Sequence, residues 1–294
     1  MTLYGKLLDD CSHMARAAGD IIRVAYDQTS QISQKGAIDL VTDTDHAAEK
    51  SILDYLSLNY SDSPVLAEES GTRDGSGNVR WIVDPLDGTV NFAHRIPHFC
   101  VLIAAQVQGT EDNWDTVASA TYEPMRDEMF LSETGQGATL NGQKTVVTSK
   151  TNLIDSLLTT GFGYERLFQI QDNHAEYCRM NLLTRGVRRL GSAGLDLAYV
   201  AAGRFDGFWE YALNPWDQAA GLLLVREAGG QVTQLDGQPA GIDASSVVAA
   251  GDGIHGKMLQ ALASSTEHSV NSREGLEAYL PSKLSRQLRD KGIS

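Results

Sequence analysis

The sequence predicts a mixed α/β fold with α+β character, and three observations predict it. An amphipathic helical pattern opens the chain, short apolar strand-like runs fill its middle, and strand and helix patterns alternate through its second half. With 294 residues, 42% hydrophobic and 21% charged, the chain can bury such layers as one large domain or as two fused lobes. The expected division is an N-terminal α+β lobe over residues 1–145, a C-terminal α/β lobe over 146–263 and a tail over 264–294.

Taken in order, residues 3–28 place Leu3, Leu7, Cys11, Met14, Ala18, Ile21, Ile22 and Ala25 on one helical face. A polar stretch over 31–39 follows, then a second helix over 45–58, capped by Asp43 or Thr44. The apolar runs 64–67, 79–83, 99–107, 116–122 and 128–132 read as strands, and Asn141-Gly142 is a hairpin-turn signal. Residues 195–202 read as helix, 205–210 as strand, and 216–228 as a helix stopped by Gly229-Gly230. Residues 231–235 and 247–250 read as strands and 255–263 as a closing helix. The tail is polar over 264–272 and then mildly basic and helical in pattern over 275–291.

The net charge of −14 and a pI near 4.8 disfavour direct nucleic-acid binding, which needs clustered Lys and Arg. An acidic enzyme acting on an anion would need local positive charge, which bound metal ions can supply. No basic segment followed by an apolar one opens the chain, and runs such as 101–105 are too short to cross a bilayer. No membrane contact is expected, and the expected compartment is the cytoplasm. Cys11, Cys100 and Cys178 are widely spaced and odd in number, so buried free thiols in a reducing compartment are expected. His94 and His98 are separated by Pro97, which argues against a helical zinc pair, and Gly161-Phe162-Gly163 reads only as a turn.

Acidic residues gather where strands are expected to end. Glu68-Glu69 follows Val65-Leu66-Ala67, Asp84 follows Trp81-Ile82-Val83, and Asp87 comes three residues later across Pro85-Leu86. Asp217 lies far off in sequence, at the start of an expected helix. Hard cations such as Mg²⁺ prefer carboxylate and carbonyl oxygens. Asp84-Pro85-Leu86-Asp87-Gly88-Thr89 offers both in a compact turn, with Pro85 stiffening it and the Leu86 carbonyl free to face an ion. Gly88 permits close backbone approach, and Thr89 can open a helix whose amides face phosphate. Taken singly, Asp87 or Asp217 reads as a surface charge or a helix cap, and so does Asp45. Taken together, the acids read as a metal site.

Leu66-Ala67-Glu68-Glu69-Ser70, then Trp81-Ile82-Val83-Asp84-Pro85-Leu86-Asp87-Gly88-Thr89-Val90-Asn91-Phe92, then Pro215-Trp216-Asp217 with Ala219-Ala220-Gly221, closely resemble the inositol monophosphatase family. The likeness runs through most of residues 3–263, and the segment 91–99 looks most like the bacterial inositol-1-monophosphatase-like branch. The resemblance implies a layered αβαβα sandwich of the inositol monophosphatase and fructose-1,6-bisphosphatase type. It also implies dependence on two or three Mg²⁺ ions per site, lithium sensitivity and a homodimer. By position, Glu68, Asp84 and the Leu86 carbonyl would hold one ion, and Asp84, Asp87 and Asp217 the second. Gly88 and Thr89 amides would bind phosphate, with Asp87 and Asp217 also facing the substrate. Thr89 and Asp45 would orient a metal-activated water for direct attack, with Glu68 in the catalytic set. Ser192 and Ala193 would line the polyol side, and Glu210 would accept hydrogen bonds from ring hydroxyls. Lys35 lies near a lysine position of the family at altered spacing, and its role stays open.

The expected activity is hydrolysis of a small polyol or sugar phosphate, inositol monophosphate first. Fructose bisphosphate, histidinol phosphate and phosphoadenosine phosphate are the alternatives that related families take. An alternative of another class is a protein-binding partner of the transcription machinery, a role that the resemblance attaches to some bacterial members.

Overall fold

The computed structural model describes residues 2–26, 32–34, 40–109, 113–163, 172–263 and 286. Helix α1 (Gly5–Tyr26) buries Cys11, Met14, Ala15, Ala18 and Ile22 on one face, the periodicity read from the sequence. A short antiparallel hairpin, β1 (Ile32–Gln34) with β2 (Leu40–Thr42), leads into α2 (Asp43–Asn59). The expected caps Asp43 and Thr44 are corrected: Thr42 caps this helix, its side chain accepting from the Thr44 amide. Four neighbouring residues from 42 to 45 can all cap. Thr42 takes the position because Asp45, three residues on, reaches back to its amide at 2.9 Å.

Eight strands form the first sheet: β3 (Val65–Ala67), β4 (Gly71–Arg73), β5 (Val79–Asp87), β6 (Cys100–Gln108), β7 (Trp114–Glu123), β8 (Glu128–Glu133), β9 (Gly137–Leu140) and β10 (Gln143–Thr145). Their order is β10-β9-β8-β7-β6-β5-β3-β4, antiparallel except where β3 runs parallel to β5. The Asn141-Gly142 turn closes the β9–β10 hairpin with positive φ at both residues, 48° and 77°, as a primed two-residue turn requires. A second sheet holds β11 (Leu157–Thr160), β12 (Gly186–Arg188), β13 (Gly207–Tyr211), β14 (Gln231–Thr233) and β15 (Ser246–Ala250), in the order β12-β11-β13-β15-β14.

The remaining helices are α3 (Thr89–Ala93), α4 (His174–Leu183), α5 (Ala193–Ala201), α6 (Pro215–Glu227) and α7 (Asp252–Ala263). Strand alternation sorts the core into layers. In β6, Val101, Ile103 and Ala105 pack against α1 and α2, while Cys100, Leu102 and Ala104 face α5 and α6. In the second sheet Phe208, Val247 and Ala249 face the same helix pair, while Trp209, Val248 and Ala250 pack with Met180 of α4 and Met258 of α7. Helix α5 therefore has no solvent face, and every residue from Gly194 to Ala201 is buried. The layers run helices, sheet, helices, sheet, helices, which is the sandwich expected.

The structure also amends the sequence reading. Strand β5 continues to Asp87 through a register shift between Asp84 and Asp87, so these acids sit on a bulged strand end and not in a loop beyond it. Cys11 and Cys100 are buried, but Cys178 is exposed on α4, against the expectation of three buried thiols. Strands β11 and β12 and helix α4 were not expected. Of the helix expected over 275–291 only residue 286, which is helical, is described, and Lys35 lies outside the described residues.

Candidate active site

The acids converge because β3 and β5 run parallel and end on one edge. The Glu68 amide donates to the Val83 carbonyl at 3.2 Å, which sets Glu68 beside the start of the bulge. There Asp84 Oδ1 accepts the Leu86 amide at 2.9 Å, closing the Pro85 turn. From the other half of the chain, Asp217 lies in the first turn of α6, its Oδ2 accepting the Asn214 amide at 2.7 Å. Both acids thus spend one oxygen on local structure. Glu68, Asp84, Leu86, Asp87, Gly88, Thr89, Ser192, Ala193, Glu210 and Asp217 all line one cavity of about 500 Å³. Asp45 is absent from that lining and reaches it through Thr89.

Asp84 is 1% exposed. Burial, then the charges of Glu68, Asp87 and Asp217, hold its carboxyl well above the usual range. Asp217 is raised by burial and by Asp87, against the hydrogen bonds from Asn214. Asp87 is raised by burial and drawn back down by Ser192 and Gly194. Four carboxyls gathered in one cavity need a counter-charge, and only Arg189 and His46 bring a basic side chain to the lining among the described residues. An all-oxygen set of this kind fits a hard divalent cation. Among the described residues no three of these acids close to the spacing of a complete metal shell. The fit rests on donor chemistry and charge, not on a formed coordination sphere.

The N-terminal turn of α5 holds Asp87. Its Oδ2 accepts the Ser192 hydroxyl at 2.6 Å and the Gly194 amide at 2.7 Å, with the Cys100 thiol at 3.7 Å. Ser192, expected to line the polyol side, does line the cavity, but its hydroxyl is committed to Asp87. It also caps α5, more weakly, through the Leu195 amide at 3.4 Å.

Gly88 has φ 98°, and a Cβ there would stand 3.1 Å from the His98 carbonyl, so the turn into α3 requires glycine. The Thr89 hydroxyl lies 2.9 Å from Asp45 Oδ1 and 3.0 Å from the Leu86 carbonyl. Asp45 is fully buried, its Oδ2 accepting the Thr42 hydroxyl at 2.5 Å as well as the Thr42 amide. Burial raises its carboxyl, and the bonds from Thr42 and Thr89 oppose the rise. Capping and contact with Thr89, which the sequence left as alternatives, use different oxygens of one carboxylate.

Three further residues escaped the sequence reading. Asp196 of α5, 1% exposed, lines the cavity, and its Oδ1 has no hydrogen-bond partner among the described residues. Burial holds its carboxyl well above the usual range. Glu49 of α2, also buried, accepts the Glu69 amide at 2.9 Å and so fixes the turn that carries Glu68. Gly161 lies against the Glu210 carboxylate. Glu210 is 7% exposed, raised well above its usual range by burial and then by Asp196, with Arg189 opposing. The one legible signal was Ser192, a cap-type residue just before an apolar helix.

The chain matches the model of the inositol monophosphatase family over residues 8–270. It is 42% identical over 262 residues to the inositol-1-monophosphatase of Synechocystis, covering 88% of this chain and 90% of that one. It is 42% identical over 240 residues to the Nus factor SuhB of Escherichia coli, covering 79% and 86%. Among solved structures, the inositol monophosphatase of Anabaena superposes with a TM-score of 0.80 at 38% identity, covering 90% of this chain and 97% of that chain. With the layered fold and the acid-lined cavity, these matches make the chain a phosphatase belonging to the inositol monophosphatase family.

Proposed function

We propose that this phosphatase hydrolyses a small polyol monophosphate, inositol monophosphate first, with Mg²⁺ as its cofactor at two or three ions per site. The observation that carries the reading is the meeting of two chemistries in one cavity. Glu68, Asp84, Asp87 and Asp217 form an acid cluster, and Glu210 offers a separate buried carboxyl. Glu68, Asp84 and the Leu86 carbonyl would hold one ion, and Asp84, Asp87 and Asp217 the second. Such ions, when bound, lower the pKa of water and neutralise charge on phosphate oxygens.

The chain's own residues supply alignment. A Thr89 hydroxyl that donates to Asp45 keeps its lone pairs to accept a hydrogen bond from water, which directs that water at phosphorus. Asp45, anchored on Thr42, restrains the Thr89 rotamer. Gly88 and Thr89 amides bind the phosphate oxygens. Glu210 accepts the hydroxyls of the leaving polyol and repels a second phosphate, which favours monophosphates over fructose bisphosphate or phosphoadenosine phosphate. Homodimer assembly, lithium sensitivity and a cytoplasmic location belong to the same reading. The likeness to a chain named Nus factor SuhB favours a second role, contact with a protein partner, which a pull-down with wild type and Asp84→Asn separates from catalysis.

The test is phosphate release from inositol 1-phosphate and glycerol 2-phosphate. Glu210→Gln should lose roughly ten- to a hundredfold in kcat/KM on the inositol ester and far less on glycerol 2-phosphate. Asp84→Asn should lose nearly all turnover on both while keeping its melting transition. Full wild-type activity in excess chelator would refute the Mg²⁺ reading, and an equal loss on both esters in Glu210→Gln would refute the polyol reading.

A further inference from the structure

Glu210 is aimed by space and not by a bond. Among the described residues no hydrogen bond holds its carboxylate, yet the side chain occupies one defined position over Gly161. A Cβ built on Gly161 would lie 2.2 Å from Glu210 Oε1, 2.3 Å from Oε2 and 2.4 Å from Cδ, far inside any real contact. Gly161 does not have the left-handed φ that would by itself call for glycine. What the missing side chain leaves is room for the Glu210 carboxylate, which any Cβ here would push aside.

Strand pairing and a small hydrogen-bond network put Gly161 there. Strands β11 and β13 pair in parallel with Thr160 opposite Trp209, so Gly161, just past the end of β11, and Glu210 of β13 come side by side. Asn173 locks this register from outside the sheet. It is 2% exposed and left-handed at φ 66°, a conformation that Asn tolerates better than most residues. Its Nδ2 donates to the Gly161 carbonyl at 2.7 Å and to the Thr160 hydroxyl oxygen at 2.8 Å. Its Oδ1 accepts the Trp209 indole N–H at 2.6 Å. The Thr160 hydroxyl donates in turn to the Trp209 carbonyl. One amide thus ties Gly161 itself to the residue that precedes Glu210. An aspartate would keep the bond from Trp209 and lose both donors.

We propose that Asn173 and Gly161 form a positioning clamp that sets where the Glu210 carboxylate stands and thereby selects among polyol leaving groups. Neither residue touches the reacting atoms. The proposal rests on the reading of Glu210 as the polyol-binding carboxylate.

The experiment measures kcat/KM for inositol 1-phosphate and glycerol 2-phosphate in wild type, Gly161→Ala, Asn173→Asp, Glu210→Gln and the Gly161→Ala/Glu210→Gln double variant. Gly161→Ala removes no hydrogen bond and keeps the test valid should Asn173→Asp fold poorly. Gly161→Ala displaces Glu210, so the inositol-to-glycerol ratio should fall roughly ten- to a hundredfold. Asn173→Asp should shift the ratio in the same direction. In the double variant the ratio should match Glu210→Gln alone, because the clamp acts only through that carboxylate. An unchanged ratio in Gly161→Ala, or losses that multiply in the double variant, overturns the clamp while leaving Glu210 in its role. An unchanged ratio in Glu210→Gln alone overturns the underlying reading, and the clamp with it.

Discussion

Replacing Ser192 with alanine separates two jobs that one hydroxyl performs. Toward Asp87 it donates a 2.6 Å bond to a carboxylate, and toward α5 it accepts a 3.4 Å bond from the Leu195 amide. Hydrogen bonds to charged groups contribute about 1.5–3 kcal/mol, whereas a cap as long as this one belongs at the low end of the ~0.5–2 kcal/mol range. The Gly194 amide still holds Asp87 Oδ2 at 2.7 Å in the variant, so the loss at Asp87 should also sit near its lower bound. About 1.4 kcal/mol is tenfold in affinity, so Ser192→Ala should need roughly tenfold more Mg²⁺ for half-maximal activity. Its melting temperature should fall by only a few degrees. Ser192→Thr keeps the hydroxyl and should restore the Mg²⁺ requirement. The assay is initial rate against Mg²⁺ concentration at fixed pH, with a thermal melt of the same samples. A wild-type Mg²⁺ midpoint with a lowered melting temperature would refute the argument and reduce Ser192 to a cap.

Thr89→Ala should lower kcat by roughly a hundredfold and move KM much less, because aligning a nucleophile matters most in the transition state; saturation kinetics on inositol 1-phosphate check it, and a change in KM alone would restrict Thr89 to phosphate binding. Asp196 has a folded pKa above its unfolded value, so its contribution to stability is full below the unfolded value and is lost as pH rises through the folded one. Asp196→Asn cannot ionise and should therefore gain in melting temperature relative to wild type as pH rises above the ordinary carboxyl range, and a pH-independent difference would count against this.

The acids of the proposed metal site were legible because three of them lie within twenty residues, in a motif that supplies both a strand end and a turn. Asp217 was legible only through Asn214-Pro215-Trp216, which announces a helix start. What the sequence could not display were partners brought close by layering. Ser192 and Asp87 are 105 residues apart, and the run Gly191-Ser192-Ala193 gives no sign that the hydroxyl points at an acid and not at a substrate. Asp196 looks like an ordinary polar position in an amphipathic helix, and only a helix enclosed between two sheets makes it buried. Thr42 is not singled out by the sequence because Thr42-Asp43-Thr44-Asp45 offers four acceptable caps, and the reach of Asp45 back to the Thr42 amide selects among them. Gly161 read as a turn because the carboxylate that fills its space arrives from a strand 49 residues later.

The enclosed middle layer bears on how the chain is made. Helices α5 and α6 cover the inner faces of both sheets, yet they are synthesised after the whole first sheet. Ile82, Leu102, Ala104 and Phe130 pack in the finished fold against residues of that pair, so a first sheet formed before the pair emerges would leave this apolar face uncovered. Exposed faces of this kind make partly made chains prone to aggregate, and chaperones guard them. The fourth acid, Asp217, arrives with the same helix pair that covers this face. Under the proposed function, a chain that stops before α6 would lack both the cover of this face and one acid of the site.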